Sequence, residues 1–397
     1  MSPGRALVVG AGLAGLAAAH RLQSLGWSVA VFEARGRAGG KHACESLGGH
    51  EYEPWPGVVP RSAPALCELS HELGAGDLLQ RAPLCLPVTL PALLRRSPFG
   101  PWRRRRLALI ASWLGGALDP DLPWRETRLD DRSVADFSQV YLGRRAHEAA
   151  LEPLFARAFG IDTRETSREL LFALCDASGA PALDSLEGAG RLAQALAAGL
   201  DLRLETRAES VEPDRRALRL ASGGRETADA VIVATGLREA ERLLGKLAPA
   251  ADAAFGALRT QSALALAVAT RGEVTREELW IPRRDGGELA AICARGPRLL
   301  SLVARPELAA RHGHRPDPEL THFLVEAAAR ALPGLATEIE TTRLHRFPAL
   351  PAFAVGHYRA LAHAAPGCAG DWCAAPHVEG ELTSGLRAAR ELAASVC

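Results

Sequence analysis

Residues 6–9, Ala-Leu-Val-Val, form an unbroken apolar run that stops at Gly10-Ala-Gly12-Leu-Ala-Gly15. Apolar positions at helical spacing follow. A second apolar run, Val29–Phe32, then closes on Glu33. An apolar run bounded by turn residues reads as a strand buried on both faces, and the helical period between the two runs reads as a crossover helix. The same pattern returns in mid-chain. Leu202–Thr206, Ala208–Glu212 and Ala217–Leu220 read as short strands, Ser222-Gly-Gly as a turn, and Ala228–Gly236 as another buried parallel strand. Other stretches differ. Pro60–Leu118 is proline-rich with apolar runs and predicts mostly helix or irregular chain. Ser133–Ala177 has helical spacing with Ser133 as its N-cap, and Gly188 turns into a further helix. From 245 to 362 the pattern is mixed, with strands at Ala263–Ala269 and Leu299–Ala304 and a helix at Pro318–Ala331. Gly367–Asp371 forms a last turn before a helical tail from about Gly380.

The opening segment has the spacing of a dinucleotide-binding βαβ unit. Gly10 permits the tight turn, Gly12 lets backbone approach a pyrophosphate, and Gly15 lets the helix pack close to the strand. Phosphates would sit at the helix N-terminus, where unpaired N–H groups and the helix dipole favour negative charge. Glu33 is placed to hold the ribose hydroxyls, and its charge disfavours a 2′-phosphate. Nucleotide-type blocks thus fall at 1–60, 185–245 and 363–397. Inserted blocks occupy 61–184, largely helical, and 246–362. The fold class is α/β. There is no repeat and no low-complexity linker.

Composition narrows the function classes. The 397 residues are 48% hydrophobic with a net charge of +1, which gives no global bias toward nucleic acid. The N-terminus runs straight into a strand without the pattern of a secretory signal, and no run reaches about eighteen apolar residues. A cytoplasmic protein without a spanning helix is expected. The eight cysteines contain no Cys-x-x-Cys pair, so neither a zinc site nor a dithiol redox pair is expected. His312-Gly-His314 has no acid or cysteine placed with it, and no metal is expected there. The only lysines are Lys41 and Lys246.

Four blocks together resemble the FAD-dependent amine oxidase superfamily, in particular its protoporphyrinogen oxidases, phytoene desaturases and hydroxysqualene dehydroxylases. The first block is Gly10, Gly12, Leu13, Ala14 and Gly15 with Glu33, Ala34 and Arg35. The second is Arg37-x-Gly39-Gly40-Lys41. The third is the strand holding Val211, followed by Val231-Ile-Val-Ala234-Thr235-Gly. The fourth is Gly370-Asp371-Trp372 with Val378-Glu379-Gly380 and Ser384-Gly385. The resemblance implies FAD as cofactor, bound by these residues. It also implies a Rossmann-like FAD-binding domain with an inserted α+β substrate domain carrying a helical subdomain. It further implies an oxidoreductase that takes a hydride from a C–H bond of a lipophilic or cyclic small molecule, with O2 or a quinone as electron acceptor. Leu344–His357 is similar to a protoporphyrinogen oxidase segment, whereas Gly370-Asp371-Trp372 is closer to the desaturases and dehydroxylases.

Many amine oxidases of the superfamily hold a water near flavin N5 with a lysine. Neither Lys41 nor Lys246 lies in a context similar to that lysine, which favours desaturation of an apolar substrate over amine oxidation. An amine or amino-acid oxidase and a non-catalytic flavin-binding partner protein remain the alternatives. The catalytic candidates are Trp55, in Glu51-Tyr-Glu-Pro-Trp-Pro-Gly57, and His357. Trp55 stacking on substrate or flavin and Trp55 packing a proline-rich turn are both open, and His357 reads more readily as structural than as substrate-orienting. Cys368 and Cys373 flank the last block and read as small buried residues rather than covalent flavin anchors. Phe99–Leu114 sets four arginines beside two tryptophans and an apolar stretch. Peripheral membrane contact and a solvated helix end are both open for it.

Overall fold

The computed structural model describes residues 4–84, 128–175, 182–245, 249–274, 278–281, 287–362 and 367–396. Phe99–Leu114, Lys246, Cys85 and Cys397 lie outside the described residues.

The apolar runs become a parallel four-stranded sheet in the spatial order Ala230–Val233, Arg5–Val9, Ser28–Phe32, Asp201–Arg203. Leu7, Val8 and Val31 are fully buried at its centre. Each contributes about 1.5–3 kcal/mol by leaving water. Leu13–Ser24 covers one face of the sheet, and Val378–Val396 lies against that helix. The two can approach because Gly385 has no side chain: a Cβ there would lie 2.1 Å from the Ala14 carbonyl oxygen.

A second sheet is antiparallel and five-stranded. Its order is Leu279–Trp280, Leu289–Gly296, Leu299–Ala304, Thr260–Thr270, Ile339–Pro351. The strand expected at Ala263–Ala269 spans Thr260–Thr270 and the one at Leu299–Ala304 has its expected bounds, but sequence periodicity did not locate the 13-residue strand Ile339–Pro351. Pro348 and Pro351 read as strand breakers. They are tolerated because the strand is at the sheet's edge, where an absent N–H leaves no ladder bond unmade. The helix expected from Pro318 spans Asp317–Ala331.

The Ser133–Ala177 segment is helical but broken. Ser133 Oγ accepts from the Asp136 N–H at 3.0 Å and caps Val134–Tyr141; a π-turn, His147–Leu151, leads into Glu152–Phe159; and Arg168–Ala173 follows. Gly160, at φ +68, ends the third piece. These pieces bury Phe137, Phe155, Phe159 and Phe172 in one apolar cluster.

Candidate functional site

The first strand and helix meet the turn between them at an open cleft of about 690 Å³. Three glycines make this turn for three different reasons. Gly10 sits at φ +106, and a Cβ on it would come within 2.3 Å of the Ala234 oxygen. A Cβ on Gly15 would meet the Gly10 oxygen at 1.9 Å, so Gly15 sets the helix-to-turn distance. A Cβ on Gly12 would meet nothing within 4 Å. Gly12, the N-cap of Leu13–Ser24, therefore faces the cleft, where a side chain would project into ligand space.

Most of the expected cofactor residues line this cleft: Gly10, Gly12, Leu13, Ala14, Glu33, Ala34, Arg35, Arg37, Gly40, Lys41, Ala234, Thr235, Gly370 and Asp371. Glu33 is held by backbone: Oε2 accepts from the Ala11 N–H and Oε1 from the Arg35 N–H, both at 2.9 Å. Thr235 Oγ1 is buried with no partner among the described residues, as a hydroxyl that waits for a ligand would be. An open Gly12, an unpaired Thr235 hydroxyl and a carboxylate at the far strand end fit a dinucleotide of FAD's shape.

Five expected residues stand elsewhere, one of them, Val378, in the wall of the adjoining recess. Gly15 and Gly39 shape the turns without lining the cleft; Gly39, at φ +104, donates its N–H to the Ala11 oxygen at 2.7 Å. Val211 is buried, and the cleft is lined instead by Arg207 and Ala208 from that strand's start. The Glu379 carboxylate turns away and accepts the N–H groups of Ala65 and Leu66 at 2.7 and 2.8 Å. It caps the helix Pro64–Glu72, whose first-turn donors have no other side-chain acceptor.

The cleft narrows into an apolar recess of about 20 Å³, walled by Trp55, Val58, Phe159, Phe347 and Leu350 with Val378. Lys41, Asp371, Phe347 and Leu350 line both spaces, so they mark the junction. Trp55 packs edge to face on Phe347 and donates its indole N–H to the Ala158 oxygen at 3.0 Å. Two buried arginines fix the loop that carries it. Arg157 donates to the carbonyls of Pro56 and Gly57 and forms an ion pair with Glu278; Arg295 reaches the Glu53 carbonyl and pairs with Glu187. Glu53 itself accepts from the N–H groups of Gly188 and Gly190, and its burial raises its pKa.

His357 lines neither space. It is buried against Phe353, its Nε2–H donates to the Trp372 carbonyl at 3.0 Å, and burial drives its pKa down to about 4. It supports Trp372, whose indole N–H donates to the Thr235 oxygen at 2.9 Å. The histidine that does face the cleft is His345, on the edge strand, with Nε2 2.7 Å from the Tyr52 hydroxyl. Helical or strand spacing alone would not have found it, because the prolines hid that strand. Burial pushes the Cys368 thiol up to about 12 and the Cys373 thiol well above its ordinary value, so both stay protonated.

At the junction Lys41 Nζ lies 2.7 Å from Asp371 Oδ2 and 2.9 Å from Glu381 Oε1, which also sits 3.0 Å from His42 Nε2. Burial alone would lower the Lys41 pKa, but Asp371 and Glu381 outweigh it and raise it. Burial alone would raise that of Glu381, but Lys41 and His42 hold it near about 2.

Among the described residues, no helix is long and apolar enough to cross a membrane. Comparison with known proteins agrees with this architecture. The model of the flavin containing amine oxidoreductase family matches residues 13–393. The tobacco (Nicotiana tabacum) mitochondrial protoporphyrinogen oxidase is 30% identical over 168 residues, 40% of this chain and 33% of that enzyme. A 1-hydroxycarotenoid 3,4-desaturase of Flavobacterium is 44% identical over 70 residues, 17% of this chain and 14% of the enzyme. The matched segments thus span a third or less of these relatives. Cyclohexylamine oxidase from Brevibacterium oxydans shares the fold at a TM-score of 0.70, with 18% identity over 99% of this chain and 98% of its own. The chain belongs to the flavin containing amine oxidoreductase family, and its cofactor is FAD.

Proposed function

We propose that this chain is an oxidase or desaturase that removes a hydride from a C–H bond of an apolar or cyclic small molecule. The observation that carries the reading is the lining of the recess: Trp55, Val58, Phe159, Phe347 and Leu350 meet the cleft at Lys41 and Asp371. Bound FAD supplies the two-electron redox chemistry. Gly12, Leu13 and Ala14 would hold its diphosphate, Glu33 its adenosine ribose, and Thr235, Gly370 and Asp371 the remainder. The recess holds little more than a water molecule, so a substrate would meet it only with its reacting edge, against an aromatic and aliphatic wall that would keep bulk water away. Lys41 stays an ammonium between two carboxylates and therefore positions rather than takes protons. The likeness to protoporphyrinogen oxidase and carotenoid desaturase segments supports the same substrate class.

The test is anaerobic reduction of the purified, flavin-loaded protein. A porphyrinogen or polyene precursor should bleach the flavin absorbance, and O2 or a quinone should restore it. Bleaching by amines alone replaces this reading with amine oxidation. No bleaching by any of the three classes replaces it with a non-catalytic flavin-binding role.

A further inference from the structure

At the cleft–recess junction one ammonium, that of Lys41, faces two carboxylates, those of Asp371 and Glu381. All three line the cleft that takes a dianionic diphosphate. Their side chains are only 20%, 13% and 8% exposed, so water screens them weakly. They come from three separate segments: the turn after Gly40, the turn after Gly370 and the C-terminal helix. The other titratable groups facing this cluster are His42, on Glu381; His377, whose pKa of about 4 leaves it neutral; and the protonated Cys373 thiol near Asp371.

We propose that Lys41 is a positioning residue that neutralises Asp371 and Glu381 and so makes the cleft compatible with the cofactor's diphosphate. It acts through the two carboxylates rather than as a phosphate ligand: both are within 2.9 Å of its ammonium, which satisfies two of its three donors. Removing the ammonium leaves two like charges buried together on the floor of an anion site. Cofactor affinity then falls at neutral pH and returns as a carboxylate takes up a proton.

The experiment measures FAD binding to apoprotein by flavin fluorescence quenching, so it does not depend on the substrate proposed above. Wild-type affinity should change little between about pH 8 and about pH 5. Lys41→Met should bind roughly tenfold or more weakly at the upper pH and regain most of the loss at the lower. Lys41→Met combined with Glu381→Gln should bind nearly as wild type throughout. Circular dichroism and thermal melting of each variant separate lost binding from lost fold. Either of two results overturns the proposal: wild-type affinity in Lys41→Met at every pH, or a pH-independent loss in a folded variant that Glu381→Gln does not repair. The second would make Lys41 a direct phosphate ligand. If Lys41→Met does not fold, Glu381→Gln alone decides: tighter FAD binding at about pH 8 supports the proposal, and unchanged or weaker binding refutes it.

Discussion

Gly12 and Gly15 lie three residues apart in one motif and should fail in opposite ways. A valine at Gly12 projects into open cleft. Gly12→Val should therefore melt near the wild-type temperature yet bind no FAD. A Cβ at Gly15 strikes the Gly10 oxygen at 1.9 Å, so Gly15→Val should lose the fold, with cofactor binding lost as a consequence. Melting curves and flavin content read together separate the two. Glu33→Ala removes the carboxylate that two backbone N–H groups hold at the strand end. FAD affinity should drop by about 1–3 kcal/mol, measurable by titration.

At the scale of elements, legibility in the sequence followed burial and period. The parallel strands could be read because both faces are covered, so their apolar runs are continuous. The turn glycines could be read because Gly10 and Gly15 answer local steric demands and Gly12 leaves the cleft open. Glu379 could not. Its place in the last motif pointed to the cofactor, but its carboxylate caps a helix more than 300 residues earlier, a contact that only the folded chain creates. His345 was hidden for the converse reason, since Pro348 and Pro351 mask a strand whose edge position makes them harmless. The Trp55 loop belongs with these tertiary features. Arg157 is buried and holds two of its carbonyls together with Glu278. Arg157→Ala leaves those acceptors without their cation and should cost roughly 3 kcal/mol or more in denaturant unfolding. It should also change the fluorescence of Trp55 against its Phe347 neighbour.

For the whole molecule, acid stability follows from buried groups in sequence. His357 and His377 are held neutral, with pKa values of about 4 against an ordinary 6.5. The unfolded chain takes up those protons first, so stability falls as pH drops from 6.5 toward 4. Glu381 works in the next window. Its pKa of about 2 against 4.5 contributes stability above 4.5, and this is lost as pH falls toward 2. Melting temperature should therefore decline steadily on acidification below about neutral pH. His357→Gln keeps a donor for the Trp372 carbonyl but does not titrate, so its decline between pH 6.5 and 4 should be shallower.

The close crossing of Leu13–Ser24 and Val378–Val396 at Gly385 also bears on the order in which the molecule is made. The first helix leaves the ribosome well before the surface it packs against. Until then Leu13, Leu16 and their neighbours lack part of their cover, and Lys41 has neither of its acids. Between the two events the newborn chain carries a nucleotide turn that is only partly supported, a long-range closure that makes folding slow and exposes apolar surface to other chains. A nascent polypeptide stalled before Val378 should bind chaperones rather than flavin.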